Sequence, residues 1–295
     1  MSDFVLSCSS TADLSQKEFD ARGIQYICYH YSIDGVQMFD DLGKTMPLDT
    51  FYQRMLDGAD TSTSQVNAGE YEAYWESFLK DGKDVMHVTL SSGITGSYNS
   101  AVIAKDQLKE KYPDRTIRVV DSLLASSGYG LFMDKLADLR DEGKSLDEVA
   151  DWAEEHKLEA HAWFFSTDLT FYIKGGRISK ASGFVGTLLK ICPLLHMNKE
   201  GRLEAKAKVR SKHRAIKEIV NRMIDNAQDG LGYTGKCYLS HSYCPEDANA
   251  VVELIKASFT KLEGEPVVHD IGTTIGSHTG PGTVAVFFWG KKRED

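Results

Sequence analysis

The chain has 295 residues, of which 42% are hydrophobic and 26% charged. This composition is globular, argues against disorder and leaves room for two domains. Its 34 basic against 43 acidic side chains give a net charge of −9, which argues against a nucleic-acid surface. The opening Met-Ser-Asp-Phe-Val lacks the basic and apolar stretches of a secretory signal. The strongest apolar run, residues 284–289, is far too short for a membrane span. Five cysteines with no C-x-x-C among them read as reduced thiols in a cytoplasm, without a disulfide framework or a zinc site.

Residues 4–7 form the first strand candidate and run into the hydroxyl-rich Ser9-Ser10-Thr11-Ala12-Asp13-Leu14. Residues 24–31 are a β-rich run, and Asp34-Gly35 is a hairpin turn. Asp49 is placed as the cap of a helix whose apolar face carries Phe51, Met55 and Leu56. Thr61-Ser62-Thr63-Ser64-Gln65 then reads as a hydroxyl-rich turn. Asn67 and Glu70 have capping-box spacing, and Tyr71, Tyr74, Trp75, Phe78 and Leu79 fall on one helical face. Residues 85–90 are a strand that ends in a second hydroxyl-rich turn, Ser91-Ser92-Gly93-Ile94-Thr95-Gly96-Ser97, before another helix. In an open parallel sheet, turns after strand C-termini share one ligand-binding edge. Two such turns around one helix-strand unit suit a small oxyanion if the preceding segment delivers Thr61–Gln65 to that edge, or else simply make turns and caps.

Residues 116–120 are another strand. Two helices follow, one centred on residues 131–139 and one starting at Ser145 with Glu148 three residues on. This alternation predicts an α/β domain with a largely parallel sheet over residues 1–158. The remainder, 159–295, predicts a second α/β domain with a mixed sheet. Its strand candidates are residues 161–166, 194–197, 203–209, 236–241, 267–271 and 283–289. A hairpin joins the second and third, and Pro245 opens a helix.

Several constellations could carry chemistry. Gly276-Ser277-His278-Thr279-Gly280-Pro281-Gly282 reads as a loop of special backbone geometry framing one histidine. His278 can donate to an anionic head group, shuttle a proton, or simply pack at the surface. Arg177, after Gly175-Gly176, can close on a carboxylate or phosphate, contact a partner, or stand as an ordinary surface arginine. Lys206, Lys208, Arg210, Lys212, His213 and Arg214 form a basic run that suits an acidic partner or a solvated junction. There is no G-x-G-x-x-G, no G-x-x-x-x-G-K-[ST] and no G-x-S-x-G, and no helix carries metal-ligand spacing.

Taken together, Ser9-Ser10-Thr11-Ala12-Asp13-Leu14, Thr63-Ser64-Gln65, 91–98, 174–179 and 276–282, in that order, resemble the DegV family. The resemblance implies a two-domain α/β protein that holds one long-chain fatty acid between its domains and needs no other cofactor. It also implies that the chain is the acyl-binding, non-catalytic subunit of a bacterial fatty acid kinase. Such a subunit presents the carboxylate to a separate ATP-binding kinase subunit for acyl-phosphate formation. The carboxylate-binding positions implied are Thr63, Thr95 with Ser92 beside it, His278 and Arg177. The chain departs from the family's usual residues at Cys8, Val66-Asn67, Cys192 and Thr95, while hydroxyls remain at positions 63 and 95. The rival reading is a hydrolase or transferase in which Ser92 or a nearby hydroxyl acts with a histidine base on a small ester or phosphate. A weaker rival is a small-anion or nucleotide-binding regulator.

Overall fold

A computed structural model describes residues 4–179 and 191–294, so the Arg177-Ile178-Ser179 run is described and Lys180, which follows it, lies outside. The first half runs β1 (Phe4–Ser9), α1 (Gln16–Ala21), β2 (Gln25–Ile27), β3 (His30–Ile33), β4 (Val36–Phe39), α2 (Leu48–Leu56), β5 (Thr61–Ser64), α3 (Ala68–Lys80), β6 (Asp84–Thr89), α4 (Ser97–Lys111), β7 (Ile117–Asp121), α5 (Ser126–Asp141) and α6 (Leu146–His156). The second runs β8 (Ala160–Ser166), α7 (Thr170–Lys174), β9 (Ile191–Met197), β10 (Leu203–Arg210), α8 (Lys212–Asn226), β11 (Tyr238–His241), α9 (Pro245–Ser258), β12 (Val267–Asp270), α10 (Thr273–Thr279) and β13 (Thr283–Trp289).

Strands β2-β1-β6-β7 form a parallel sheet in that order. Its order reverses between β1 and β6, and the segments after these strands share one edge. A six-stranded mixed sheet runs β10-β9-β8-β13-β11-β12, with only β11 and β12 parallel. The expected α/β architecture, parallel first and mixed second, is therefore present. Strands β8 and β13 are apolar on both faces, as buried strands are. Their register sets Phe164 opposite Ala285 and Ala162 opposite Phe287. This face joins the larger core. The alternate residues Trp163, Phe165, Val284, Val286 and Phe288 pack in a separate core with α8 and α9.

Local signals worked where both partners are neighbours. Asn67/Glu70 and Ser145/Glu148 form full capping boxes, as does Ser15/Glu18, which the sequence reading did not single out. Asp34 and Gly35, with φ of 50° and 78°, turn the β3–β4 hairpin, the left-handed pair that matches strand twist.

Other expectations are corrected. Thr61–Ser64 is not a turn but strand β5, paired antiparallel with β3 in a third sheet ordered β4-β3-β5. The run at 24–31 is two strands in different sheets, β2 and β3. Pro47, not Asp49, precedes the first residue of α2, and Asp49 falls inside its first turn. Leu56, expected on the apolar face, is 58% exposed, whereas Phe51 and Met55 are buried.

The largest correction concerns 276–282. Residues Thr273–Thr279 are helix α10, not a loop. Two acids from the first half hold its start: the Gly272 N–H donates to Asp13 Oδ1 at 3.1 Å and the Thr274 N–H to Asp40 Oδ2 at 3.2 Å. Negative groups belong at a helix N-terminus, where backbone N–H groups lack partners. At the other end Gly280 adopts φ 65°, and a Cβ there would strike the Phe171 ring.

Burial pushes the Asp13 carboxyl well above its ordinary range and also raises Asp40, while the charge of Asp40 raises Asp13 further. The folded protein thus binds protons that the unfolded chain has released. Stability carried by this pair is fully present below the unfolded pKa of ~3.9 and declines as pH rises through the folded value. Asp13→Asn removes most of that dependence. The stability of the wild type relative to Asp13→Asn should therefore fall as pH increases from about 4. Urea midpoints at a series of pH values measure it, and a constant difference would mean that Asp13 titrates normally.

Candidate functional site

The edge of the parallel sheet and one face of the mixed sheet enclose a cavity of about 380 Å³. Its walls are largely apolar. Ala162, Phe164, Ala285 and Phe287 come from β8 and β13, Met197 from β9 and Leu203 from β10. The opposite wall brings Leu90, Ile94 and Ala125 from the turns after β6 and β7. Polar groups collect where α10, β5 and the end of α7 meet: Thr63, Thr95, His278 and Arg177 all line the cavity there.

Each of these side chains is positioned by a definable element. Thr63 sits on edge strand β5, opposite Tyr31 of β3. Thr63 Oγ1 and His278 Nε2 share a hydrogen bond of 2.7 Å. His278 occupies the last turn of α10. Its ring passes so close to Gly175 that a Cβ there would collide with Nδ1, which is a packing reason for glycine. Nδ1 itself is buried and has no partner among the described residues. Burial, with the nearby Arg177 charge, pushes the imidazole down to about 4, so it is neutral near pH 7.

Arg177 is delivered by a Schellman turn. Gly176 has φ 72°, the Gly176 N–H donates to Ile173 O at 3.1 Å, and the Arg177 N–H to Tyr172 O at 2.9 Å, which ends α7 and folds the chain back. The guanidinium donates through Nη1 to Gly175 O at 2.6 Å. Among the described residues no carboxylate pairs with it. Burial lowers its pKa, with a small opposing pull from Tyr29. A half-buried cation without a counter-ion is a receptor for an anion. The Thr95 hydroxyl donates to Gln65 Oε1 at 3.4 Å and accepts from the Ser97 N–H at 3.3 Å.

Four of the five residues singled out from sequence thus come together. Ser92 stands apart. It is exposed, it does not line the cavity, and its N–H is tied to Asp121 Oδ1 at 3.1 Å. His87, a second histidine that a hydroxyl nucleophile could use as its base, is fully buried between Tyr71 and Trp75 with Nδ1 2.9 Å from Ser7 Oγ. Tyr29 and Gln65 line the same polar end and were not anticipated. A tyrosine within a β-rich run gives no local sign that its hydroxyl faces a cavity.

Among the described residues no group of three or more His, Cys, Asp or Glu is placed to hold a metal. No helix among them is long and apolar enough to cross a membrane. All five cysteines are free.

The fold and site are those of an α/β protein of three sheets with a largely apolar cavity closed by hydroxyls, a histidine and an arginine. Residues 6–291 match the family described as uncharacterised protein, DegV family, and the chain belongs to the DegV family. A DegV domain-containing protein of Clostridium perfringens is 34% identical over 298 residues, covering 100% of both chains. Among solved structures, one reporting fatty acid binding of a DegV family protein from Thermus thermophilus aligns with a TM-score of 0.86 at 28% identity. That alignment covers 98% of this chain and 100% of the other. The Streptococcus pneumoniae fatty acid kinase (Fak) B3 protein, loaded with linoleic acid, aligns with a TM-score of 0.83 over 99% of this chain and 100% of its own. At 20% identity that likeness is one of fold.

Two outcomes follow from this geometry. The His278 resonances in an NMR titration should move with a midpoint near 4. Because this folded value lies below the unfolded ~6.5, acidification from 6.5 towards 4 should cost stability. A midpoint near 6.5 would place the ring in water. Gly175→Ala should displace His278 and break its bond to Thr63, and an unchanged His278 spectrum would contradict the close approach.

Proposed function

We propose that this protein binds one long-chain fatty acid, with its carboxylate at the Thr63, Thr95, His278 and Arg177 end and its tail along the apolar face of the mixed sheet. The observation that carries this reading is an apolar cavity ending at a half-buried arginine that no described carboxylate neutralises. Burying roughly a dozen methylenes at ~0.8 kcal/mol each yields on the order of 10 kcal/mol before association costs. A carboxylate cannot follow the tail into such a site unless donors replace its water. The fatty acid binding reported for the Thermus thermophilus protein supports carrying this ligand class over.

We further propose that the chain works in a bacterial cytoplasm as a carrier with no catalysis of its own. It would present the acyl carboxylate to a separate ATP-binding kinase subunit that forms the acyl-phosphate. The division at residues 158 and 159 would make the cavity an interdomain site. Thr63 beside His278 invites a second reading, a hydroxyl nucleophile with its base. Two features count against it. An imidazole pushed down to about 4 is a weak base at neutral pH, and no described carboxylate orients its Nδ1, as an acyl-transfer site requires.

Delipidated protein incubated with palmitate should gain one palmitate mass in native mass spectrometry. Protein that stays ligand-free would sink the fatty-acid reading. Thr63→Val should weaken palmitate binding about tenfold or more, the worth of one charge-assisted hydrogen bond, without unfolding the protein. With the kinase subunit and ATP added, acyl-phosphate should form only when both proteins are present. Turnover by this chain alone would overturn the carrier role.

A further inference from the structure

Tyr29 is 3% exposed and lines the cavity beside Thr63, Thr95 and Arg177. Its backbone is fixed on both sides: its N–H donates to Ser10 Oγ at 3.1 Å, and its carbonyl accepts from the Asp40 N–H at 2.8 Å. Its hydroxyl, however, is buried without a well-aligned hydrogen bond among the described residues: the Thr95 and Ser97 hydroxyls stand close to it but are engaged with Gln65 and Tyr71. Buried phenols normally find one. Two other cavity-lining hydroxyls, on Thr274 and Thr279, also lack partners, but Thr274 lies against the Asp40 carboxyl and so has an acceptor close by. Near Tyr29 the charged neighbour is Arg177, a cation, and the Thr95 and Ser97 hydroxyls stand on the same side. The phenol therefore faces a positive charge and two hydroxyls engaged elsewhere, an environment that an anion completes.

We propose that Tyr29 is a head-group residue whose O–H donates to one oxygen of the bound carboxylate, opposite the Thr63–His278 pair, and so favours acids over neutral lipids. This assignment rests on the fatty-acid reading above. A carboxylate has two oxygens with several acceptor positions, and donors on two sides satisfy both. Burial pushes the phenol up to about 12, so it keeps its proton across the working range. Phenylalanine would fill the same space and pack the same ring. Only the recognition of charge depends on the oxygen.

The test compares wild type and Tyr29→Phe, both delipidated, titrated with palmitate and with 1-hexadecanol while their thermal midpoints without ligand are followed. In the variant the palmitate Kd should rise about tenfold, equal to ~1.4 kcal/mol. The hexadecanol Kd should change by only about threefold, because hydrogen bonds to charged groups are roughly twice as strong as neutral ones. The ligand-free midpoint should hold, since the Thr95 and Ser97 hydroxyls near the phenol keep their bonds to Gln65 and Tyr71. Equal palmitate affinity in the two proteins would overturn the assignment while leaving the fatty-acid reading intact. So would parallel weakening of both ligands, which marks a packing role, or a lowered ligand-free midpoint, which marks an internal bond. Wild-type protein that ignores palmitate would remove the fatty-acid reading and this assignment with it.

Discussion

The hydrogen bond between Thr63 and His278 joins residues 215 positions apart, and the site depends on the elements that bring them together. Helix α10 has only seven residues and is too short to stand by its own propensity. It is held from outside. Asp13, just after β1, and Asp40, just after β4, receive its first N–H groups. Tyr52 of α2 donates to Ile271 O at 2.7 Å immediately upstream. Two buried carboxyls are expensive, and here the cost supports a helix whose final turn carries the histidine. The S-T-A-D-L stretch thus does positional work, through Asp13, without lining the cavity.

The remaining chemistry follows from one contrast. The cavity walls are dominated by apolar side chains from strand faces and turns, whereas its end gathers threonines, a neutral imidazole and an arginine. An amphiphile with one charged end matches that division better than a small polar metabolite, which would leave the apolar walls without a partner. The same contrast separates this site from a nucleophile–base arrangement, because nothing described polarises His278 towards accepting a proton.

Most of the architecture was legible in the sequence where the determinants are local. Capping boxes at Asn67 and Ser145, the Asp34-Gly35 turn and Pro245 at a helix start each need only residues within a few positions. Thr61–Ser64 failed that test, because an all-hydroxyl strand shows no apolar alternation and forms by pairing along β3. Residues 273–279 failed it too, since their cap residues lie more than 230 positions away. Family resemblance reached His278 and Thr63 where periodicity alone did not. Neither route separates the alanines and phenylalanines that line the cavity from those that merely fill the core, because burial selects the same residue types for both. Tyr29 shows the limit most clearly: its ring reads as core, and its oxygen acquires meaning only from the space in front of it.

The two-faced character of β8 and β13 has an evolutionary consequence. Successive residues on these strands belong to different compartments: Ala162, Phe164, Ala285 and Phe287 border the cavity, while Trp163, Phe165, Val284, Val286 and Phe288 support the layer beneath α8 and α9. The pleat insulates one from the other. Alanine exchanged for a bulkier neighbour, or phenylalanine for a leaner one, can remould the contour of the cavity without repacking the helices behind. A lineage can therefore reshape this cavity through single codon changes, leaving the scaffold that supports it untouched.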